Sequence, residues 1–535
     1  MTNNNYSIII ENGTIIDGSG EAGYKADIGI VDRVIKSIRD LSTEKADIRI
    51  DAKNLLVCPG FIDSHCHTDI GYAAEFPEVR GKIMQGITTD VCGLCSTSYA
   101  PVGEGHLEEF LKRQANVLAG IKKSMTVAEL IEETYKRGNS TNMAMFAGNS
   151  NIRIHGVGYE NRAASAEEMD RMKELLKSAM EDGAFGLSTG LTYVPSQFAS
   201  TEELIELCKI IAPFGGVYNS HMRNEGNELV KSVKEVIEIV EKSGCKGHCS
   251  HLKAAGTKNH GKVKECLKLI EEANNRGVNV NFDVYPYTAG SIDLSAVLPQ
   301  WVLSEGFSND FEILKNPQNI KKIEEDLKRE DWENIVLQCG YEKIFIGSAN
   351  NLSQYEGKSI SQIAKELNST ELEAMLKVLI DSMAQATIIY YIASEDDLRL
   401  LMQSPYCCIG TDAYARDYSG ATTGGKPHPR NFGAIPRFIK KYILDESLMT
   451  IEEGIYKITG FPAKIFKIPN RGLVQENKVA DITIINPLTI GETGTYLNPA
   501  TKPNGIEYVI IEGKIAVDKG TFNDIRAGKM LKLGI

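Results

Sequence analysis

Six side chains spread along the chain have the chemistry of metal ligands: His65, His67, Cys95, His221, His251 and Asp412. Imidazole, thiolate and carboxylate together suit Zn²⁺. His65 and His67 are two residues apart. On a strand both rings would point to the same face, as two imidazoles on one cation require. Each residue taken alone has a plainer explanation. An HxH pair is short and recurs by coincidence. A lone cysteine is ordinarily a small buried hydrophobe. His221 and His251 could be hydrogen-bonded core residues, and Asp412 could cap a helix or bond a loop amide. What joins the six is where the surrounding elements would place them.

Strand patterns recur through the middle of the chain: FIDSHCH at 61–67, ITTDVCG at 87–93, NMAMFAG at 142–148, AFGLS at 184–188, VYNSH at 217–221, GHCSH at 247–251, VNFDVY at 280–285 and CCIGTD at 407–412. Amphipathic helix patterns lie between them. Ser165 with Glu168 is a capping-box signature, with Gly183 past the helix end, and Ser200 with Glu203 repeats it. The stretch 228–243 sets Leu229, Val233, Val236, Ile237 and Val240 at core spacing. Eight strands alternating with helices predict an α/β fold, a (β/α)8 TIM-like barrel. Active sites of such barrels lie at the C-terminal ends of the strands. His65 and His67 end the first strand and Cys95 follows the second. His221 ends the fifth, His251 the sixth and Asp412 the eighth, so all six converge on one mouth.

Both ends of the chain read differently. SIIIENGTIID, ADIGIV and VIKSI near the start, and ADITIINP and IEYVIIEGKIAV near the end, are short β-branched runs broken by turn residues. They predict a small β-sandwich domain from 1–60 plus 470–535, flanking a barrel over 61–469. An insertion at about 288–385, with its own helices and both tryptophans, is expected over the barrel mouth. The run TIIYYI from Thr387 is a ninth strand candidate that the barrel does not need.

The 535 residues are 42% hydrophobic and 24% charged, ordinary values for a globular chain with a large core. A net charge of −12 gives non-specific nucleic-acid binding no electrostatic basis. No window approaches the roughly 20 apolar residues of a membrane span. The start, MTNNNYSIII, lacks a basic region followed by an apolar one, so no export signal is read. The eleven cysteines are then expected as reduced thiols in a cytoplasmic protein.

The motifs carrying these residues resemble a known family. VCPGFIDSHCH at 57–67 resembles the first-strand motif of the amidohydrolase superfamily. QGITTDVCGLCSTSYAP from Gln85 resembles the D-aminoacylase / N-acyl-D-amino-acid deacylase branch, where a cysteine replaces the carboxylated lysine of many relatives. The resemblance continues through GAFGLSTGLTY from Gly183, SHMR from Ser220, SHLKAAG from Ser250, DVYPYTAGS from Asp283 and PHPR from Pro427, nearly the whole chain. It implies zinc-dependent hydrolysis of an N-acyl-D-amino acid, a small-molecule substrate, to a carboxylate and a free D-amino acid. It also implies roles. Cys95, His221 and His251 would hold a tight zinc. His65, His67 and Asp412 would line a second, weaker position, bridged by Cys95. Asp412 would be the catalytic carboxylate, taking a proton from the attacking water and returning it to the departing amine. Lys253, Tyr285, Ser291 and Arg430 would hold the substrate's carboxylate and scissile carbonyl. An arginine suits that task through bidentate hydrogen bonds.

Some positions depart from the family pattern. Ala413 follows the catalytic Asp where glycine is common, Leu94 and Ser96 flank Cys95 in place of Asn and Gly, and Asn149 stands where a histidine often follows the third strand. The Gly-rich stretch between Asp412 and Arg430 looks longer than usual, and such loops reshape pockets. Two rival readings remain. A ring-opening amidohydrolase of the hydantoinase or dihydroorotase kind would bridge its metals with a carboxylated lysine. A non-catalytic scaffold would have shed ligands. Cys95 argues against the first, and the full set of six against the second.

Overall fold

The computed structural model describes residues 5–72, 80–114, 121–304, 311–419 and 422–534. Its centre is a series of parallel strands in two sheets. Phe61–Asp63, Ile87–Cys92 and Asn142–Met145 form one. Ala147–Gly148, Gly186–Gly190, Val217–His221, Lys246–Cys249, Val280–Val284 and Cys407–Ile409 form the other, neighbours following chain order. Only Phe146 separates the end of the first sheet from the start of the second. At the opposite edges, Ala413–Tyr414 pairs in parallel with Cys66–His67, the segments just beyond the last and first strands. These strands are buried on every residue except Lys246. That explains their continuous apolar and small-residue runs, which a sheet covered on both faces requires.

Helices between the strands follow the local signals. Ala166–Asp182 starts at a reciprocal capping box of Ser165 with Glu168 and stops at left-handed Gly183. Leu229–Ser243 buries Leu229, Val233, Val236, Ile237 and Val240 as the spacing predicts. The Ser200 device is only half formed. The Ser200 side chain accepts from the Glu203 amide, but the Glu203 carboxylate is taken by buried Arg153, at 2.6 and 2.5 Å. Pairing an otherwise uncompensated buried charge outweighs one capping bond.

The ninth strand candidate belongs elsewhere. Thr387–Tyr391 is the middle strand of an antiparallel sheet with Ala289–Asp293 and Ile344–Ser348. The helices Pro317–Asp326, Ile360–Leu367 and Glu371–Asp381 share its separate hydrophobic core.

The two ends of the chain meet in two further sheets. One runs Val34–Arg39, Asp27–Val31, Tyr6–Glu11, Ala46–Asp51. The other threads Leu56–Pro59 and Thr14–Ile15 beside the late strands Ile482–Ile485, Ile506–Ile511 and Lys514–Asp518. Ile8, Ile28 and Ile30 of the first share one core with Val57, Ile482 and Ile510 of the second. Beyond them the tail runs back along the parallel strands, with Leu531 N bonding Met143 O at 2.7 Å and Leu533 N bonding Gly183 O at 2.9 Å. All eleven cysteines are unpaired and buried. Among the described residues no helix is long and apolar enough to cross a membrane. Gly420 and Ala421, inside the Gly-rich stretch, lie outside the described residues.

Candidate active site

The six ligand-type side chains come together at the C-terminal ends of the parallel strands. Cys95 Sγ lies 3.4 Å from His65 Nε2 and 3.5 Å from His251 Nε2. His67 Nε2 is 3.1 Å from Asp412 Oδ1, and His65 Nε2 is 3.8 Å from the same oxygen. The His221 and His251 rings meet edge to face at 4.5 Å. Ligand atoms of His65, His67 and Cys95 lie within 4.8 Å of one another, and so do those of Cys95, His221 and His251. Cys95 is common to both groups.

The backbone is strained where it delivers these groups. Cys95, His251 and Asp412 all adopt positive φ, at 51, 33 and 53°. Non-glycine residues rarely do so, and such conformations persist where the surroundings impose them, commonly at functional sites. Two glycines allow the close approach. A Cβ at Gly190 would lie 2.6 Å from the Cys95 carbonyl oxygen, and one at Gly410 2.7 Å from His65 Cβ.

Carboxylates behind the rings fix them. Asp283 accepts a bond from the His251 amide at 2.9 Å, and its other oxygen faces His248 at 2.8 Å and His65 Nδ1 at 3.3 Å. Glu225 faces His251 Nδ1 at 2.8 Å and holds Lys253 Nζ at 2.7 and 2.6 Å. Neither was singled out in the sequence. Asp283 stood unassigned inside DVYPYTAGS. Glu225 lies four residues past His221, and an acidic group just past a ligand strand was the available signal. Thr192, 3.1 Å from His221 Nε2, and Tyr193, stacked edge-on to that ring, were also missed.

The electrostatics follow from this packing. Burial alone would raise the Cys95 thiol, but His65, His221 and His251 together hold it well below the usual thiol range. Burial would likewise raise Asp412, yet Arg430 and His67 keep it well below the ordinary carboxylate range. Glu225 is pulled down to about 2 against its burial by Lys253 and His251.

The four expected substrate-binding residues lie beside the cluster. Lys253, Tyr285, Ser291 and Arg430 line the same cavity of about 450 Å³ as Cys95, His221 and Asp412. Arg430 is not free there. Its guanidinium pairs with Asp412 Oδ2 at 2.8 Å, donates to the Ser291 carbonyl at 3.2 Å and sits 5.0 Å over the Tyr285 ring. Asn149, in place of the histidine, donates to Ser196 Oγ at 2.9 Å.

The donor set fits zinc. Two ligands held about 2.1 and 2.3 Å from one tetrahedral ion stand about 3.6 Å apart, close to the spacings from Cys95 Sγ to His65 and His251. Nδ1 of His67 and of His221 are buried with no hydrogen-bond partner among the described residues. Nitrogens left so in a polar cluster are available to a cation.

No protein-family model matches the chain. The D-aminoacylase of Alcaligenes xylosoxydans xylosoxydans is 30% identical over 526 residues, covering 98% of this chain and 97% of its own length. The N-acyl-D-glutamate deacylase of the same organism is 30% identical over 509 residues, covering 95% and 92%. Among solved structures, an N-acyl-D-glutamate deacylase from Bordetella bronchiseptica, complexed with zinc and a phosphonate mimic of the tetrahedral intermediate, superposes with a TM-score of 0.81 at 28% identity. It covers 99% of this chain and 100% of that one. D-aminoacylase, described with a binuclear metal centre activated by one metal and attenuated by a second, superposes at 0.80 with 29% identity, covering 98% and 100%. A D-hydantoinase from Thermus, at 0.57 and 16% identity over 98% and 99%, shares the fold alone.

Proposed function

Because the chain belongs to the D-aminoacylase / N-acyl-D-amino-acid deacylase family of amidohydrolases, we propose that it hydrolyses the amide bond of N-acyl-D-amino acids, releasing a carboxylate and a free D-amino acid. The observation that carries this reading is one buried cysteine shared by two three-residue ligand groups, with Asp412 and Arg430 beside it. Cys95, His221 and His251 would hold the tight zinc, and His65, His67 and Asp412 a second, weaker one. When bound, zinc supplies Lewis acidity that brings a water's pKa down to about 7 and polarises a carbonyl. Asp412, kept ionised by Arg430 and His67, is the proton acceptor. It then returns the proton to the departing amine. Arg430 would exchange its bond to Asp412 for the substrate's α-carboxylate, and the exchange frees Asp412 Oδ2 for the proton. Tyr285 and Ser291 border the same space, and Lys253 adds a positive charge near it. The strained backbone at Cys95, His251 and Asp412 holds these groups in place before substrate arrives.

The same reading extends to the architecture. The parallel strands would close as a (β/α)8 barrel over 61–469, through the pairing of Cys66–His67 with Ala413–Tyr414. The end sheets would form a β-sandwich from 1–60 and 470–535, and 288–385 would be an insertion over the mouth. Eleven unpaired buried thiols suit a reducing, cytoplasmic setting. Ring opening of cyclic amides is the more distant alternative, since Cys95 occupies the place of the bridging carboxylated lysine.

Zinc-loaded protein should hydrolyse N-acetyl-D-methionine, leave the L-enantiomer largely intact and turn over hydantoin poorly. Preference for hydantoin, or loss of enantiomer selectivity, would overturn the reading.

A further inference from the structure

The cavity contains a carboxylate for which the deacylase reaction has no use. Asp293 ends the strand Ala289–Asp293, two residues beyond Ser291, lines the cavity and is solvent-exposed. It makes no capping bond to the turn Leu294–Val297 that follows. The cavity walls around it raise its carboxyl, with no cation opposing that shift.

The cavity's cations are matched. Among the described lining residues the two basic side chains are Lys253 and Arg430. Lys253 is held by Glu225, and Arg430 by Asp412. With Arg430 turned to the substrate's α-carboxylate and Lys253 held by Glu225, a substrate side chain ending in a carboxylate would find no uncommitted cation and would face Asp293. A side chain ending in a cation would find an uncommitted anion. The spacing suits it. Residues two apart on a strand project to one side and stand about 6.8 Å apart, so Asp293 lies one long aliphatic stem away from Ser291. Ile292, Ala296, Leu303 and Met383 give that stem apolar wall.

We propose that Asp293 is the side-chain specificity residue of this enzyme, selecting N-acyl-D-amino acids with a basic side chain, D-lysine or D-arginine, and disfavouring acidic ones. The inference rests on the deacylase reading and adds the class of side chain to it. Loss of the paired anion would cost the basic substrate its charge partner and leave its stem contacts intact.

The test compares kcat/KM of the zinc-loaded full chain for N-acetyl-D-lysine, N-acetyl-D-norleucine and N-acetyl-D-glutamate. Norleucine keeps the lysine stem without the charge. The expected order is lysine, norleucine, glutamate, with lysine about threefold to fivefold above norleucine, the size of one partly screened ion pair. Asp293→Asn should bring the lysine-to-norleucine ratio to about one, and Asp293→Lys should raise glutamate above lysine. A wild-type ratio of one, or a ratio unmoved by both variants, overturns the proposal while the deacylase reading stands on norleucine turnover. Failure to hydrolyse any of the three overturns both. The wild-type ratio decides even where a variant does not fold.

Discussion

Asp412 divides its oxygens between partners of opposite consequence. Oδ1 faces His67 at 3.1 Å and Oδ2 pairs with Arg430 at 2.8 Å. Both favour the ionised form, which a proton acceptor needs at neutral pH. Asp412→Asn keeps the shape but not the basicity, so kcat should fall about 10²–10⁴-fold while elemental analysis still finds at least one zinc per chain. Retained turnover would end its proposed proton-transfer role. Glu225 makes a different prediction. It orients His251 and neutralises Lys253, so Glu225→Gln should weaken zinc retention about 10–100-fold, measured by competition with a chelator, before any effect on substrate affinity. An unaltered zinc affinity would reduce Glu225 to a partner of Lys253. These residues also separate what was legible from what was not. The six ligand-type residues could be read because type and strand-end position are both local in sequence. Glu225 and Asp283 could not be assigned, because which carboxylate backs a ring depends on how separate elements pack, whether the carboxylate sits past a strand or, as Asp283 does, within one. The bond between Arg430 and Asp412 was hidden for the same reason: each residue alone suggested a different partner.

At the scale of elements, the site rests on a buried ionic knot beneath it. Asp63 of the first parallel strand bonds Lys82 Nζ and accepts from the Thr411 amide at 2.8 Å. Lys82 also bonds Thr411 Oγ1 at 2.9 Å and faces Asp90 of the next strand at 3.5 Å. The knot joins the first and second strands to the segment after the last, whose next residue is Asp412. Lys82→Met would leave Asp63 and Asp90 buried with no cation between them, at about 3–5 kcal/mol. A denaturant melt should show that loss, and stability near wild type would mean that the carboxylates take up protons at little cost. The parallel strands were readable because burial on both faces leaves a continuous apolar signature. Thr387–Tyr391 carries the same signature, and propensity alone does not say which sheet it joins. Its partners, Ala289–Asp293 and Ile344–Ser348, are antiparallel and distant in sequence. The half-formed capping device at Ser200 has the same origin, since Arg153 lies far from Glu203 in the chain.

At the scale of the whole molecule, two remote segments support the site, and only the second, within the insertion expected at about 288–385, announces itself in the sequence. The tail buries Met530, Leu531 and Leu533 and bonds the backbone of the parallel strands at Met143 and Gly183. Deleting residues 526–535 should cost of order 5 kcal/mol from lost burial and lower the melting temperature; an unchanged melt would show the tail to be dispensable. The second segment is the 311–386 region, which reaches the site through Glu333. One Glu333 oxygen accepts from the Glu225 amide at 3.2 Å, and the other is enclosed with no hydrogen-bond partner among the described residues. Burial first, and the Glu225 charge second, raise its carboxyl to about 8. The folded pKa therefore lies above the unfolded one, near 4.3. Below that unfolded value both states are protonated and folding bears no penalty. As pH rises toward and through about 8, the unfolded chain ionises more readily than the folded one, so stability is progressively lost. Glu333→Gln removes the titration and keeps the bond to the Glu225 amide. Its melting temperature should change less than that of the wild type between about pH 5 and 9. Curves that stay parallel would show that Glu333 does not govern the alkaline side of this fold's stability.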